Sequence, residues 1–179
     1  MTHTISHTDD NFEQIYLVGV LIDPNSREPD LYTLVLYNEV ARTDANRPLT
    51  YEDRIVFFRN LKDAGRALAL GDIAFRKYGS APTEVEHVYN VAQALAVVAD
   101  GAIDEDSNIG AFLNELLDFV AIRWKIPDNY RSALSALADY ATFERDIDAF
   151  FTHSHKRTET RDAILWCLGA IAMNAIVLP

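Results

Sequence analysis

Lysine and arginine are absent from residues 78–122, a central stretch that contains eight carboxylates. These are Glu84, Glu86, Asp100, Asp104, Glu105, Asp106, Glu115 and Asp118. Without cations nearby in sequence, the carboxylates project a negative field at neutral pH. Such a field repels nucleic acid, because affinity for phosphates comes from lysine and arginine side chains. We therefore expect no nucleic-acid partner, while a basic protein partner and a purely solubilising role both agree with the charge.

Cysteine occurs once, at Cys167, which excludes an internal disulfide and is consistent with a reducing compartment. The seven glycines form no phosphate-cradling loop of the P-loop or dinucleotide type. The sequence also lacks the G-x-S-x-G and H-E-x-x-H motifs and a paired Cys-x-x-Cys. No known catalytic motif is therefore present, and we expect no cofactor.

Long hydrophobic runs are absent as well. The most apolar stretch covers residues 163–178, is interrupted by Asn174 and falls short of the roughly 20 residues that span a bilayer. We interpret it as a buried helix, with a membrane tail as the alternative. Residues 1–12 are polar and lack the apolar core of a signal peptide. The predicted location is therefore cytoplasmic, with no membrane partner.

The composition that remains is that of a globular chain. Hydrophobic residues make up 49% and charged residues 24% of 179 positions, with a net charge of −11. This length suits one domain with a proper core. We predict a disordered leader over residues 1–12 and a single α+β domain over 13–179. Its sheet part covers 13–72 and its helical part covers 82–179.

Three apolar runs rich in β-branched and aromatic residues predict strands over 15–22, 31–37 and 55–58. The turn-forming segment 23–30 predicts a hairpin between the first two. The expected sheet is three-stranded and mostly antiparallel, and its runs are apolar on both faces, which indicates a covered sheet. Gly19 marks either a bulge or a close packing contact.

After the third strand the apolar residues recur at helical spacing, which predicts a bundle of four to five helices. A short helix follows Asn60 and ends at Gly71, and a capping box at residues 83–86 opens the next one. Further helices are expected from Ser107, from Asp128 and from about residue 160. The last is apolar nearly all round, which predicts a position in the middle of its neighbours.

Residues 104–115 resemble the oxygen-ligand pattern of an EF-hand calcium loop, with Asp104 and Asp106 at its start and Glu115 at its twelfth position. The resemblance covers twelve residues only. Ile109 stands where the loop needs glycine, and Phe112 stands where an oxygen donor is usual. The alternative is a helix that starts at Ser107 and buries the apolar residues.

His153 and His155 are a second candidate metal pair, because alternate residues of a strand share one face. Lys156 and Arg157 follow directly and disfavour another positive ion, so the alternative is a loop after a helix end.

His87 lies three residues after Glu84, and such a pair can do acid–base work only where a cleft and a third group exist. A surface histidine is the expected role. Cys167 has apolar neighbours on every side and is predicted to be a buried, inert thiol.

These observations favour a non-catalytic protein that binds or inhibits a basic protein through an acidic helical face. Small acidic inhibitors of cationic toxins, such as bacterial immunity proteins, are similar in this general composition. The predicted partner-binding residues are Glu84, Glu86, Asp104, Glu105, Asp106, Glu115 and Asp118. A small metal-dependent enzyme or metal-binding module, built on Asp104, Asp106 and Glu115 or on His153 and His155, is the alternative. A homo-oligomer that uses Tyr32, Phe57 and Phe58 is the third.

Overall fold

The computed structural model of the chain describes residues 12–39, 45–100, 108–144, 146–152 and 154–179. Its strands are β1 (Phe12–Leu21), β2 (Leu31–Glu39), β3 (Ala45–Pro48), β4 (Thr50–Tyr51), β5 (Arg54–Phe58), β6 (His87–Asn90) and β7 (Ala175–Leu178). Its helices are α1 (Ala64–Leu70), α2 (Ile73–Arg76), α3 (Val91–Asp100), α4 (Ile109–Ala121), α5 (Asp128–Phe143), α6 (Ile147–Phe150) and α7 (Ser154–Met173), with a 3-10 turn at Leu61–Asp63. The predicted mixed α+β class is confirmed.

The prediction of a three-stranded, mostly antiparallel sheet is wrong. The described residues form a seven-stranded mixed sheet with the order β4-β5-β2-β1-β6, in which β3 also pairs with β2 and β7 with β5. The β1–β6 and β5–β7 pairs are parallel, and the others are antiparallel. The same residues contain seven α-helices rather than four or five: α2 is a short turn in a segment without a predicted helix, and α6 is a short turn after the helix expected from Asp128.

The strand β6 replaces the start of a predicted helix. The helix expected from the capping box at 83–86 begins only at Val91, where Asn90 Oδ1 accepts a hydrogen bond from the Gln93 N–H at 2.9 Å. The four residues before it pair with β1 instead, with Tyr89 opposite Val20. Val88 and Tyr89 are compatible with a strand as well as with a helix, so the local spacing of apolar residues does not decide between the two structures.

Three other strands were not predicted. The segment between the second and third predicted strands contributes β3 and β4. The segment 175–178, expected to be helical, forms β7 after Asn174, whose carbonyl accepts from the Ile55 N–H at 2.8 Å. Both β6 and β7 belong to the predicted helical part, yet they pair with strands of the predicted sheet part.

The sheet is covered on both faces, as predicted. On the first face Val18, Val35, Phe57 and Tyr89 pack against α3, α4, α5 and α7. On the second face the core residues are Ile15, Leu17, Leu34, Leu36, Val56 and Phe58, packed against Ala64, Ala67, Leu68 and Phe75 of α1 and α2. Burying both apolar faces is the main source of stability in such a layered fold.

The hairpin between β1 and β2 is confirmed, with continuous antiparallel register. Asp30 closes it by accepting hydrogen bonds from the N–H groups of Ile22 and Asp23 at 2.7 and 2.9 Å. These two bonds lower the pKa of Asp30. Gly19 makes a close packing contact rather than a bulge, since a Cβ at this position would lie 2.5 Å from Pro29 Cγ.

The last helix differs from its prediction. Within the described residues it begins at Ser154, so that His155 lies in this helix instead of a loop. It packs against α3, α4 and α5, but it is not enclosed all round, because Leu165 and Met173 are 49% and 72% exposed. Gly169 is exposed too, and a Cβ there would meet nothing within 4 Å.

Tyr32, Phe57 and Phe58 are buried within the chain and so do not extend an intersubunit surface. In the part of the chain that the structure describes, no helix combines the length and apolarity needed to cross a membrane. The predicted leader lies outside the described residues except for Phe12, which begins β1.

Candidate functional site

The site is built on α4, where Glu115 and Asp118 are three residues apart and lie on neighbouring positions of one helix face. Both carboxylates contact Asn46 of β3. Asn46 Nδ2 donates to Glu115 Oε2 at 2.6 Å, and the Asn46 N–H donates to Asp118 Oδ2 at 3.0 Å. One residue of the sheet thus anchors two acids of the helix.

The pairing pattern of β3 explains why the Asn46 N–H is available. The Leu49 N–H donates to the Leu34 carbonyl at 2.7 Å, so Leu34 and Leu49 are a hydrogen-bonded pair. Hydrogen-bonded and non-hydrogen-bonded pairs alternate along an antiparallel ladder. The register places Asn46 three residues from Leu49, at a non-hydrogen-bonded position opposite Tyr37. Its N–H therefore points away from β2 and toward Asp118.

Glu115 is buried, with 4% of its surface exposed. Its Oε1 atom has no hydrogen-bond partner among the described residues. Burial raises the pKa of Glu115 from 4.5 to about 7; the Asn46 hydrogen bond lowers it, and the nearby negative charge of Asp118 raises it further. At neutral pH this carboxyl group is therefore close to half protonated and can donate or accept a hydrogen bond.

Two neighbouring groups share the environment of Glu115. Burial raises the pKa of Asp118, against the opposing effects of the Asn46 hydrogen bond and the charge of Arg131. Burial also raises the pKa of Tyr89, and the negative charges of Glu115 and Asp118 add to this effect. The tyrosine is therefore a neutral hydroxyl at physiological pH.

A cleft of about 260 Å³ lies between the sheet and α4. Its lining residues come from β1, β2, β3, β6 and α4 and are Tyr16, Val18, Val35, Tyr37, Asn46, His87, Tyr89, Ala111, Asn114 and Glu115. The wall is thus mainly aromatic, with one carboxyl group and two amides. A smaller apolar cavity of about 60 Å³ shares Tyr89 and Glu115 with it.

The aromatic rings of the wall form a continuous series. The ring of Tyr16 lies 6.1 Å from that of Tyr37 and 5.7 Å from that of His87, between centroids. The ring of His87 lies 6.2 Å from that of Tyr89, which in turn packs against Phe112 at 5.8 Å. Tyr16 and Val18 alternate along β1, and His87 and Tyr89 alternate along β6, so all four side chains face α4.

The structure separates the predicted partner-binding residues into three groups. Glu84 and Glu86 are exposed in the segment before β6. Glu115 and Asp118 line or border the cleft, where Glu115 offers almost no surface to a protein partner. Asp104, Glu105 and Asp106 lie outside the described residues. Binding of a basic partner through these acids stays a prediction.

Metal binding also stays a prediction. Among the described residues, no three His, Cys, Asp or Glu side chains are grouped so as to hold a metal ion. Asp104, Asp106 and His153 lie outside these residues, as does the side chain of His155. Glu115, the last position of the calcium-loop pattern, is in the middle of α4 and binds Asn46.

Cys167 is buried as predicted, and burial raises its pKa to about 11, which keeps the thiol protonated. His87 lies in a cleft that sequence analysis did not find, with Tyr16 and Tyr89 beside it. One signal for this cleft is present in the sequence: Tyr16 and Tyr37 interrupt otherwise aliphatic strands with polar hydroxyls.

Comparison of the chain with protein-family models, with curated proteins and with solved structures gives no significant match.

Proposed function

We propose that the chain is a non-catalytic binding protein that takes a small molecule in the cleft between the sheet and α4. The observation that carries this proposal is Glu115, a buried residue of the cleft wall whose Oε1 atom has no hydrogen-bond partner among the described residues. Buried polar atoms nearly always have hydrogen-bond partners, and an unpaired one costs about 1–3 kcal/mol. A ligand with a hydrogen-bond donor offsets that cost.

The composition of the cleft supports the same function. Ligand sites are mostly apolar and aromatic, with a few polar groups that fix orientation. Here Tyr16, Tyr37 and Tyr89 supply the rings, and Glu115 supplies the polar group. The volume of about 260 Å³ is slightly below the roughly 300–1,000 Å³ that is usual for drug-sized ligands. A small metabolite therefore fits better than a peptide or a nucleotide.

Side-chain amide resonances offer a direct test in solution. A library of small fragments is added to isotope-labelled protein, and the amides of Asn46 and Asn114, which line the cleft, are observed. The side-chain amide of Asn129, which binds Glu159 on another part of the surface, is the internal control. We expect at least one fragment to shift the first two amides and leave the third in place.

A blocking variant makes this test specific. Ala111→Phe adds a ring within the cleft, whereas Ala133→Phe adds the same ring to a separate groove on α5. Ala111→Phe should weaken the binding of such a fragment by about tenfold or more, and Ala133→Phe should leave it unchanged. If no fragment shifts Asn46 and Asn114, or if both variants bind equally, the proposal is wrong.

Capture of a basic protein is the second candidate function, favoured by the exposure of Glu84 and Glu86 in a stretch without lysine or arginine. The probe is an oligolysine peptide. Replacing both acids with lysine should slow its association and flatten the salt dependence of the rate. The matched control is the same replacement at Asp139 and Glu144, which are equally exposed. Equal effects of both pairs would show only general attraction to a negative protein.

A further inference from the structure

The rings of the cleft present aromatic surface around one carboxyl group. Tyr16 has two ring neighbours in the wall, with centroids 6.1 and 5.7 Å away, and Tyr89 continues the series beyond His87. Aromatic faces carry negative electrostatic potential and attract a cation within about 6 Å of the ring centroid. A cation in the cleft lies beside a wall that contains the rings of Tyr16, Tyr37 and Tyr89.

The charges around the cleft have one dominant sign. The lining contains no lysine or arginine in the part of the chain that the structure describes, and its one acid is Glu115. The other groups that face Glu115 are Asp118 on α4, His87 and Tyr89 on β6, Tyr16 on β1, Tyr37 on β2 and the neutral Asn46 on β3. Arg131 on α5 acts on Asp118 rather than on the cleft. An anionic ligand is therefore disfavoured.

We propose that the cleft binds a small organic cation, an amine or quaternary ammonium group, with its charge against Glu115 and its carbon atoms against the tyrosine rings. This inference rests on the proposed function and adds the chemical class of the ligand. An organic cation loses hydration when it enters the cleft. Attraction to the carboxylate and to the faces of the aromatic rings offsets that loss.

Proton linkage follows from this arrangement. A bound cation favours the charged form of Glu115, whose pKa is about 7 in the free protein. Below that pH, binding must displace a proton, so affinity falls as the pH falls. The neutral tyrosines do not change this sign.

Choline and its neutral isostere 3,3-dimethyl-1-butanol are matched probes, because they have nearly the same shape and differ in charge. Calorimetric titration at pH 8 should show choline binding about tenfold more tightly than the isostere. Between pH 8 and pH 5.5 the affinity for choline should fall about tenfold, and that for the isostere should stay constant. The ratio of the two affinities is the measured quantity.

Variants show which residues cause the difference in affinity between choline and its isostere. Glu115→Gln keeps the acceptor for Asn46 and removes the charge, so it should reduce the preference for choline and abolish its pH dependence. Glu159→Gln, at an acid outside the cleft, should change neither. Tyr16→Phe should keep choline binding because the ring remains, and Tyr16→Leu should weaken it about fivefold.

Two results would overturn the inference. Equal binding of choline and its isostere would show a cleft that binds ligands without preferring cations, which leaves the proposed function intact. Failure of choline to bind, in a protein whose Asn46 and Asn114 amides do respond to neutral fragments, would reject the cation in the same way. Failure of every fragment at those amides would instead reject the proposed function itself.

Discussion

Glu115 carries an unfavourable contribution to folding that depends on pH. One of its oxygens binds Asn46, the other is unpartnered among the described residues, and burial raises its pKa from 4.5 to about 7. Between these two values the folded state binds more protons than the unfolded state. The free energy of unfolding therefore has its full value, as far as Glu115 is concerned, below about pH 4.5, and it decreases as the pH rises through 7. The burial of Asp118 acts with the same sign.

Replacing the acid by its amide tests this sign. We expect Glu115→Gln to be more stable than the original chain at pH 8, by up to about 3 kcal/mol, because one pKa unit corresponds to about 1.4 kcal/mol. At pH 4.5 the two proteins should have nearly equal free energies of unfolding. Urea unfolding across this range measures the difference, and a difference that does not change with pH would contradict the burial of the charge.

Asn46 binds both Glu115 in the cleft wall and the neighbouring Asp118, so its removal should cost more than that of a surface asparagine. Asn46→Ala leaves Glu115 Oε2 without its 2.6 Å donor in a buried position. We expect a loss of about 1–3 kcal/mol in the free energy of unfolding. Asn129→Ala breaks a 3.0 Å asparagine–glutamate hydrogen bond on the surface and should cost only a few tenths of a kcal/mol. Equal losses in the two variants would show that burial does not make the Asn46–Glu115 hydrogen bond more important for stability.

From the sequence, Glu115 and Asp118 are recognisable as acids of a stretch without cations, but their position at a cleft is not. Glu115 lies in the same helical stripe as Phe112 and Phe119, so its burial was readable from periodicity alone. Its partner Asn46 is 69 residues away in a segment without a strand pattern. Contacts of this range depend on the sheet register, which local sequence does not specify. The aromatic wall was missed for the same reason.

At the scale of elements, strands with strong local signals were predictable and strands that complete the sheet were not. The runs that became β1, β2 and β5 are long or aliphatic enough to indicate strands without help. β6 and β7 have four residues each and follow or precede a helix directly. Their structure is decided by an available edge on β1 or β5, which is a tertiary effect that overrides local propensity.

Gly19 shows how tightly the hairpin loop packs on β1. A methyl group at this position would overlap Pro29, with distances of 2.5 and 2.9 Å to its Cγ and Cβ atoms. Gly19→Ala should therefore destabilise the protein by about 1–3 kcal/mol. Gly169→Ala, in the exposed interior of α7 with nothing within 4 Å, should stabilise it by about 0.5–1 kcal/mol. Thermal unfolding of the two variants gives opposite shifts if the packing at Pro29 is as described.

For the molecule as a whole, the two parallel pairs join what the sequence divides into a sheet part and a helical part. β6 enters the sheet beside β1 and leads directly into α3, while β7 follows α7 and pairs with β5. The beginning of α3 and the end of α7 are thus connected to strands that the sheet holds by backbone hydrogen bonds. The layer of helices on the first face therefore cannot separate from the sheet without breaking strands, which predicts cooperative unfolding.

A substitution on the second face of the sheet tests this cooperativity. Leu178 of β7 is 8% exposed and packs in the core of the second face, whereas Trp166 of α7 packs on the core of the first face. Leu178→Ala should cost about 2–3 kcal/mol and lower the urea midpoints of tryptophan fluorescence and far-UV circular dichroism equally. Leu165→Ala, at a half-exposed position beside Trp166, is the control and should move both midpoints by less than about 1 kcal/mol. A fluorescence midpoint that stays in place while the amide protons of Leu17 and Leu34 exchange faster would show two independent units, because only the sheet would then respond to the lost contact.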